Sequence, residues 1–254
     1  MIRYLAIPDL SATPARMPIL REIVFPAILR AAREHSIDFA LFPGDVHDTN
    51  FYLSNEHNSI LDFFAELMII CPVAGVCGTP GHETPAMYGA LERIGFVLMR
   101  PGRVYGFFGT KPGLTDFVEI TREGDEPRAI IFGIPELIPS RIQQELGYPT
   151  HADYLREYVA PIRLQFESLP AILVIHGTIS DCSQENELDP KLKNAASYIR
   201  TEDIHDAGIT RTEAGHIHTP IEFRKTCGGY AGSWSEDWSS IGFIPCMNLV
   251  EMES

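Results

Sequence analysis

The sequence has few cysteines and no apolar segment long enough for a membrane span. Its five cysteines are odd in number and form no Cys-x-x-Cys pair, which argues against a disulfide framework and against a zinc–thiolate site. No window reaches the ~18 uninterrupted apolar residues that a membrane span needs. The N-terminus lacks both the apolar length and the small-residue cleavage site of a signal peptide. We therefore expect a cytoplasmic protein with reduced thiols and no membrane contact.

Basic residues are also scarce. The chain has 20 Lys and Arg against 34 Asp and Glu, which gives a net charge of −14. Because Lys and Arg drive phosphate binding, this balance argues against a protein that grips nucleic acid over a broad face. It does not exclude a nucleic-acid enzyme, because a carboxylate-rich site that holds divalent cations inverts the local charge, and a basic partner subunit can supply the grip.

No internal repeat, low-complexity tract or linker divides the chain, so we predict a single domain over residues 1–254. Buried strands are predicted at 2–8, 38–42, 69–77 and 171–175. Helical apolar patterns lie between them at 15–35, 56–68 and 151–168. This alternation is typical of an α/β protein with parallel strands, and the short β-type runs between residues 95 and 134 predict a mixed or antiparallel section.

Acidic residues and histidines follow the predicted strands at their ends. They are Asp9, Asp45, Asp48, His82, His176, His216 and His218. Because the carboxyl ends of parallel strands share one edge of a sheet, we expect these side chains to converge. Aspartate and histidine without cysteine suit a divalent metal such as Mn²⁺, Zn²⁺ or Fe²⁺. Two such ions would activate a water and neutralise a phosphoryl group. We expect the other histidines at the surface: His35, His57, His151 and His205.

The order of these motifs resembles the calcineurin-like metallophosphoesterase superfamily, over nearly the whole chain. The motifs are Asp9, Gly44-Asp45-x-x-Asp48, His82-Glu83, His176-Gly177 and Gly215-His216-x-His218. Within the superfamily the chain is most similar to SbcD-type DNA exonuclease subunits, including phage recombination nucleases. Three segments carry that likeness: "EDIHDAGITRTEAGHIHTP" at 202–220, "YAGS" at 230–233 and "GTPGHE" at 78–83.

The resemblance implies a fold and a role for each motif residue. The fold is an α/β four-layer sandwich of two mixed β-sheets flanked by helices. Asp45 would bridge two metals; Asp9 and His218 would bind one of them, and His176 and His216 the other. His82 would be the general acid or transition-state stabiliser, because an imidazole can change its charge near neutral pH. Asp48 would orient the site without touching metal.

The resemblance also implies a function, cofactors and partners. The chain would be a metal-dependent phosphodiesterase acting on DNA, the nuclease subunit of an SbcCD-like complex. It would use one or two divalent ions, with Mn²⁺ favoured over Zn²⁺, Fe²⁺ or Mg²⁺. Its partners would be DNA, an SbcC-like ATPase subunit and, in a homodimer, a second copy of the chain.

Two positions depart from the family pattern. Ser11 stands where the family has a metal-binding histidine, and Gly81 stands where it has a metal-binding asparagine. A serine hydroxyl is a poor substitute for an imidazole, so we predict that the metal at Asp9 and His218 is held more weakly than the other. His47 and Thr79 are the residues that could compensate.

Two other functions stay open on the sequence. A stand-alone phosphoesterase acting on small nucleotides or phosphoproteins would use the same ligands, and the acidic composition favours it. A non-catalytic interaction subunit would have kept the fold while losing ligands at Ser11 and Gly81.

Overall fold

Two mixed β-sheets organise the chain. A computed structural model describes residues 1–48, 56–109, 117–120, 127–137, 139–179, 199–218, 220–223, 226–232 and 247–253, with only the backbone at 117, 118 and 139. Residues 180–198 lie outside the described residues, as does Ser233 of the 230–233 motif.

The first sheet is built mainly from the N-terminal part of the chain. In the part of the chain that the structure describes, its five strands are Ile2–Ala6 (β1), Phe39–Pro43 (β2), Val73–Val76 (β3), Val97–Leu98 (β4) and Asn248–Met252 (β12). The spatial order is β12-β1-β2-β3-β4. Strands β1 to β4 are parallel, and β12 pairs with β1 in antiparallel orientation, with Ile2 opposite Met252. Strand β12, from the C-terminal part of the chain, therefore forms one edge of the first sheet.

The second sheet follows along the chain. Within the described residues its seven strands are Val104–Phe107 (β5), Phe117–Glu119 (β6), Ala129–Ile134 (β7), Ala171–His176 (β8), Arg211–Gly215 (β9), Ile221–Glu222 (β10) and Gly228–Tyr230 (β11). The spatial order is β10-β11-β9-β8-β7-β5-β6. Strands β7, β8, β9 and β11 are parallel, whereas β5, β6 and β10 are antiparallel to their neighbours. In the section predicted as mixed or antiparallel at 95–134, β5, β6 and β7 pair antiparallel in this sheet, whereas β4 joins the first sheet in parallel orientation.

Helices connect the strands and cover the outer faces of the sheets. They are Met17–Ile19 continuing through Leu20–Val24 into Phe25–Glu34, His57–Ile70, Pro85–Tyr88 continuing into Gly89–Ile94, Pro139–Arg141 continuing into Ile142–Leu146, His151–Tyr154 continuing through Leu155–Val159 into Ala160–Gln165, and Thr201–Asp206. Two of them contain a π-helical turn, and each such turn ends two residues before a proline, Pro26 or Pro161. Proline has no N–H to continue the helical ladder, so the backbone widens just before it.

Successive residues of a strand face opposite sides of its sheet, so the core has three layers. One lies between the two sheets, and one lies under the helices on the outer face of each sheet. Tyr4 and Phe39 pack between the two sheets against Phe107, while Leu5 faces the helices of the first sheet. Phe132 belongs to the cluster beneath the helices of the second sheet. Because both faces of the central strands are buried, those strands are apolar throughout rather than alternating with polar residues.

The arrangement is helices, sheet, sheet, helices, which confirms the predicted α/β four-layer sandwich with two mixed sheets. The surface position predicted for His151 is wrong, since this side chain is buried at the start of the helix it begins. Among the described helices, none combines the length and the apolar content that crossing a membrane requires.

Candidate metal centre

The carboxyl ends of strands from both sheets meet at one edge of the sandwich. The backbone N–H of His216, after β9, donates to both carboxylate oxygens of Asp9, after β1, at 3.0 and 3.1 Å. The Nδ1 atom of His176, at the end of β8, lies 2.7 Å from the carbonyl oxygen of Pro43 in β2. These two contacts join the sheets at the place where the predicted metal-binding residues lie.

Two glycines allow this close approach. A Cβ atom on Gly215 would lie 2.1 Å from the Pro43 carbonyl oxygen, and one on Gly44 would lie 2.5 Å from His176 Nδ1. Gly44 also has a φ of +86°, a backbone conformation that L-residues rarely adopt. The glycines of the Gly-Asp and Gly-His motifs are therefore required by packing between the sheets, independently of any metal.

Three of the predicted ligands have a left-handed backbone. The φ angles are +48° at Asp9, +48° at Asp45 and +98° at His216. Such conformations cost on the order of 1–3 kcal/mol each and persist where the surroundings enforce them, often at functional sites. Here each of them turns the chain sharply at a strand end, so that the side chain stays at the edge where the two sheets meet.

Asp9, Asp45 and His176 form a buried group. Each offers a ligand atom, and these atoms all lie within 4.8 Å of one another. His176 Nε2 is 3.3 Å from Asp45 Oδ2, and His176 Nδ1 is 3.8 Å from Asp9 Oδ1. The side chains of His176 and Asp9 are fully buried, and that of Asp45 is 4% exposed. Buried groups of this charge require compensation from one another or from a bound cation.

The pKa values of the buried group show how its members compensate one another. Burial raises the pKa of Asp9 to about 7, although the nearby His176 opposes that change. Burial would also raise the pKa of Asp45, but the hydrogen bond and the charge of His176 hold that pKa well below its usual range. Burial would lower the pKa of His176, yet Asp45 and Asp9 outweigh it and raise the pKa to about 9. Without metal, a proton on His176 therefore balances Asp45.

Glu136, His176 and His216 form a second group, which is more open to solvent. Their ligand atoms also lie within 4.8 Å of one another. Glu136 Oε2 is 3.4 Å from His216 Nδ1 and 3.8 Å from His176 Nε2. Glu136 and His216 each have a 27% exposed side chain. Partial burial lowers the pKa of His216, which favours the neutral imidazole that a metal requires.

The donor atoms of the two groups fit a divalent cation. The buried Oε2 atom of Glu136 has no hydrogen-bond partner within the described residues, although it faces two imidazoles. The contact between His176 Nδ1 and the Pro43 carbonyl favours a proton on Nδ1, which leaves Nε2 as the ligand atom. Oxygen and imidazole ligands suit Mn²⁺, Zn²⁺ or Fe²⁺. His176 belongs to both groups, so it joins them.

Glu83 and Thr79 hold Asp45 in place. The buried carboxylate of Glu83 accepts hydrogen bonds from the backbone N–H groups of Asp45, His47 and Gly78 and from the Tyr88 hydroxyl. Thr79 donates its backbone N–H to Asp45 Oδ1 at 2.7 Å and its hydroxyl to Asp45 Oδ2 at 3.1 Å. The loop after β3 therefore fixes the loop after β2, and Glu83 has no capacity left for a metal.

The remaining predicted site residues lie at the rim. His82 Nδ1 is 3.4 Å from Asp45 Oδ2, its Nε2 is 4.0 Å from Asp48 Oδ1, and its side chain is 42% exposed. His218 is exposed and lies outside both groups. Partial burial and the charge of Arg16 lower the pKa of His218. The structure thus brings Asp9, Asp45, His176 and His216 together, with His82 beside them, and places His218 in neither group.

The positions that depart from the family pattern also lie in this region. Ser11 is buried, and its backbone N–H donates to the Asp45 carbonyl at 2.7 Å. A Cβ on Gly81 would meet open space. His47, one candidate for compensation, lies with Nδ1 3.4 Å from Glu83 Oε1 and belongs to neither group. Thr79, the other candidate, has its hydroxyl 3.2 Å from His176 Nε2.

Sequence reasoning missed Glu136. It follows β7, which is parallel to β8, so its position at the end of a strand is the signal that identified the other residues. The signal was missed because no motif of the resemblance includes Pro135-Glu136.

Comparisons with known proteins support the fold. No protein-family model matches the sequence, and no curated protein matches it. Among solved structures, the chain is similar to a Staphylococcus aureus protein assigned as a 5′-nucleotidase, in complex with α-ketoglutarate, with 16% identity and a TM-score of 0.55. That match covers 91% of this chain and 48% of the other, so the chain spans about half the length of that protein.

A second similar structure is GAP50, the anchor in the inner membrane complex of Plasmodium. It has 12% identity and a TM-score of 0.51, over 91% of this chain and 71% of the other. At these identities the likeness shows a shared fold. The chain is therefore an α/β four-layer sandwich of the architecture found in both of these proteins.

Proposed function

We propose that this protein is a metal-dependent phosphoesterase that acts on nucleotide phosphodiesters. The observation that carries the proposal is the convergence of Asp9, Asp45, Glu136, His176 and His216 in two overlapping groups at the ends of strands. Carboxylates and imidazoles in overlapping groups are the ligands of two-metal hydrolytic sites. The 5′-nucleotidase assignment of a protein with the same fold agrees with this chemistry.

The two groups would supply the ligands of a site for two metal ions. Asp9 and Asp45 would bind one ion, and Glu136 and His216 the other, while His176 Nε2, the one nitrogen of that ring that does not contact the Pro43 carbonyl, would bind one of the two; Mn²⁺ is the expected metal. When bound, the metal would neutralise phosphoryl oxygens and lower the pKa of a water molecule. The Pro43 carbonyl orients His176 and Thr79 orients Asp45, so both ligands are positioned before metal binds.

His82 is the residue proposed to move a proton. Its imidazole lies at the rim, 3.4 Å from Asp45 and 42% exposed, where substrate can reach it. Donation of a proton from His82 to the leaving oxygen would prevent an unstable alkoxide from forming. Asp48, 4.0 Å from His82 Nε2, would hold the ring in position.

The DNA form of the proposal rests on the likeness to SbcD-type nucleases and on the open rim of the site. His82 and His218 are both accessible from solvent, so a strand of DNA could reach the centre. Because the net charge is −14, binding to duplex ends would need a basic partner such as an SbcC-like ATPase, or a second copy of the chain. We also propose that residues 1–254 act as one catalytic domain, because the ligands come from both sheets.

The substrate class is tested by hydrolysis assays with Mn²⁺, Zn²⁺ or Mg²⁺. The probes are bis-p-nitrophenyl phosphate, p-nitrophenyl phosphate, thymidine 5′-monophosphate and a single-stranded oligonucleotide. We expect metal-dependent hydrolysis of bis-p-nitrophenyl phosphate that exceeds that of p-nitrophenyl phosphate. On the oligonucleotide, whose leaving group is an alkoxide, the His82→Gln variant should lower kcat by about 10²–10⁴-fold, the usual contribution of general acid catalysis, with metal content unchanged. The matched control is His35→Gln, at an exposed histidine on another face.

The oligonucleotide assay distinguishes a nuclease that acts on DNA from an enzyme that acts on small nucleotides. Hydrolysis of the strand favours the nuclease, and hydrolysis of the small diester alone favours the nucleotide enzyme. The absence of metal binding and of hydrolysis with every probe would refute both. It would favour an interaction protein, and one structural neighbour, GAP50, is an anchor in a membrane complex.

A further inference from the structure

We propose that a cleft beside the candidate metal centre binds a second, non-reacting phosphate of a nucleotide, together with its base. The cleft has a volume of about 650 Å³. This lies within the range of roughly 300–1,000 Å³ that is usual for small-molecule sites. The inference deepens the proposed function and rests on it for the reaction, whereas binding in the cleft can be measured without any hydrolysis.

The cleft begins at the candidate metal ligands. Gly78 and Glu136 line one end of it. A Cβ on Gly78 would lie 2.1 Å from Asp45 Oδ1, so the loop at this end touches the buried group directly. Glu136 belongs to the open group. A substrate held at the metal centre therefore has the cleft next to it.

Three guanidinium groups line the cleft, at Arg100, Arg103 and Arg141. Arg100 pairs with Glu92 at 3.2 Å, and Arg103 pairs with Glu119. The arginine side chains of these pairs are 43% and 49% exposed, so water screens both pairs and a bound anion can replace the carboxylates. Arg141 is exposed where the Ile142–Leu146 helix begins. A guanidinium binds phosphate through two parallel hydrogen bonds.

The carboxylates of the cleft are mostly engaged elsewhere. Glu83 accepts hydrogen bonds from three backbone N–H groups and the Tyr88 hydroxyl. Glu136 Oε2 faces His176 and His216. Glu145 remains as an exposed carboxylate in the lining. In a chain of net charge −14, this concentration of arginines marks the place where a second anionic group is favoured.

The walls of the cleft are apolar. Leu98, Met99 and Leu137 are buried in the lining, and four prolines complete it: Pro80, Pro85, Pro101 and Pro135. Apolar walls with a few placed cationic groups suit a flat ring that carries phosphate. Inorganic phosphate would use only the arginines. The combination therefore points to a nucleotide with two phosphates, either free or as part of a DNA strand.

The proposal is tested by calorimetric titration with thymidine 3′,5′-bisphosphate and thymidine 5′-monophosphate, in Mn²⁺ and separately in EDTA. We expect the bisphosphate to bind about tenfold more tightly, because charge-assisted hydrogen bonds to phosphate are strong. The double variant Arg103→Gln, Arg141→Gln should abolish this preference while leaving monophosphate binding and bis-p-nitrophenyl phosphate hydrolysis unchanged. Arg30→Gln, at an exposed arginine of another helix, is the control.

Two results would overturn the proposal: no preference for the bisphosphate in the native protein, or an unchanged preference in the double variant. A protein that hydrolyses none of the phosphoesters but loses the preference in the double variant would refute the proposed function and keep the cleft. A (dT)10 oligonucleotide distinguishes the two sources. Weaker binding of both probes by the double variant assigns the cleft to a DNA strand, and weaker binding of the bisphosphate alone assigns it to free nucleotides.

Discussion

The two candidate metal-binding groups share His176 but differ in burial and in charge. The buried group contains two aspartates, at most 4% exposed in their side chains, with a single imidazole. The open group contains one carboxylate and two imidazoles, with Glu136 and His216 each 27% exposed. Because the pKa of His176 is raised to about 9, this imidazole keeps a proton at neutral pH when no metal is bound. The open group meets the cleft and can exchange metal and substrate.

The difference suggests that the two groups bind metal in different ways, the buried group through ligands already held in position and the open group through a carboxylate oxygen that lacks a partner. The His216 N–H donates a hydrogen bond to Asp9, and the Thr79 N–H donates one to Asp45. Both carboxylates are therefore held in position before a metal binds. Glu136 has a buried oxygen without a hydrogen-bond partner among the described residues, so a cation would satisfy it. We therefore expect the buried group to be the more sensitive to loss of a ligand.

The largest expected effect comes from Asp45→Asn. Removing this charge leaves the buried group with one carboxylate, and we expect hydrolysis of bis-p-nitrophenyl phosphate to fall by about 10³-fold or more. Elemental analysis should show the loss of metal from the buried group. Asp206→Asn, at a side chain that is 73% exposed, is the matched control. Full activity of Asp45→Asn would contradict the metal-dependent mechanism.

Glu136→Gln should have a smaller and more selective effect. The amide keeps the size of the side chain but weakens its interaction with a cation, and we expect affinity for one ion to fall by about 10–100-fold. Titration calorimetry with Mn²⁺ should then show one strong and one weak phase. Glu145→Gln changes an exposed carboxylate in the same cleft and should bind metal as the native protein does. Equal loss of both ions would show that the two groups do not act separately.

Metal affinity of the buried group should rise with pH. The pKa of His176 is raised to about 9 and that of Asp9 to about 7, so metal must displace protons held below those values. For each proton displaced, affinity changes by about tenfold per pH unit. Mn²⁺ titrations should therefore show the steepest rise below pH 7, a shallower rise from 7 to 9 and none above 9. An affinity independent of pH between 6 and 9 would show that the buried group binds without losing protons.

The smallest effect is expected from Ser11→His. If the added imidazole joins the buried group, Mn²⁺ affinity there should rise by less than about tenfold, because the left-handed backbone at this position limits its geometry. Anomalous scattering from Mn²⁺-soaked crystals would compare the two occupancies. In the native protein we expect the stronger peak beside His176 and His216, and in the variant two more equal peaks. Ser11→Ala should leave the native pattern unchanged.

Particular residues show how far the sequence alone could lead. The apolar runs before Asp9, Asp45 and His176 predicted parallel strands, and the edge rule then predicted that these residues meet. Strand direction places these residues at the carboxyl edge of their own sheet, and the packing of the two sheets brings the two edges together. The metal-binding and catalytic roles all stay predictions: those of Asp9, Asp45, His176, His216 and His218 as ligands, and those of His82 and Asp48 in catalysis.

The sequence by itself determined the α/β alternation and the set of strand-end residues, because periodicity and strand polarity are local properties of the chain, whereas the two mixed sheets were implied by the resemblance. Only the tertiary structure decided which residues share a group. It added Glu136 and placed His218 in neither group, because side-chain distances depend on how two sheets pack and on the left-handed turns at their ends. The buried position of His151 was also decided there, since a lone histidine carries no signal of what packs over it.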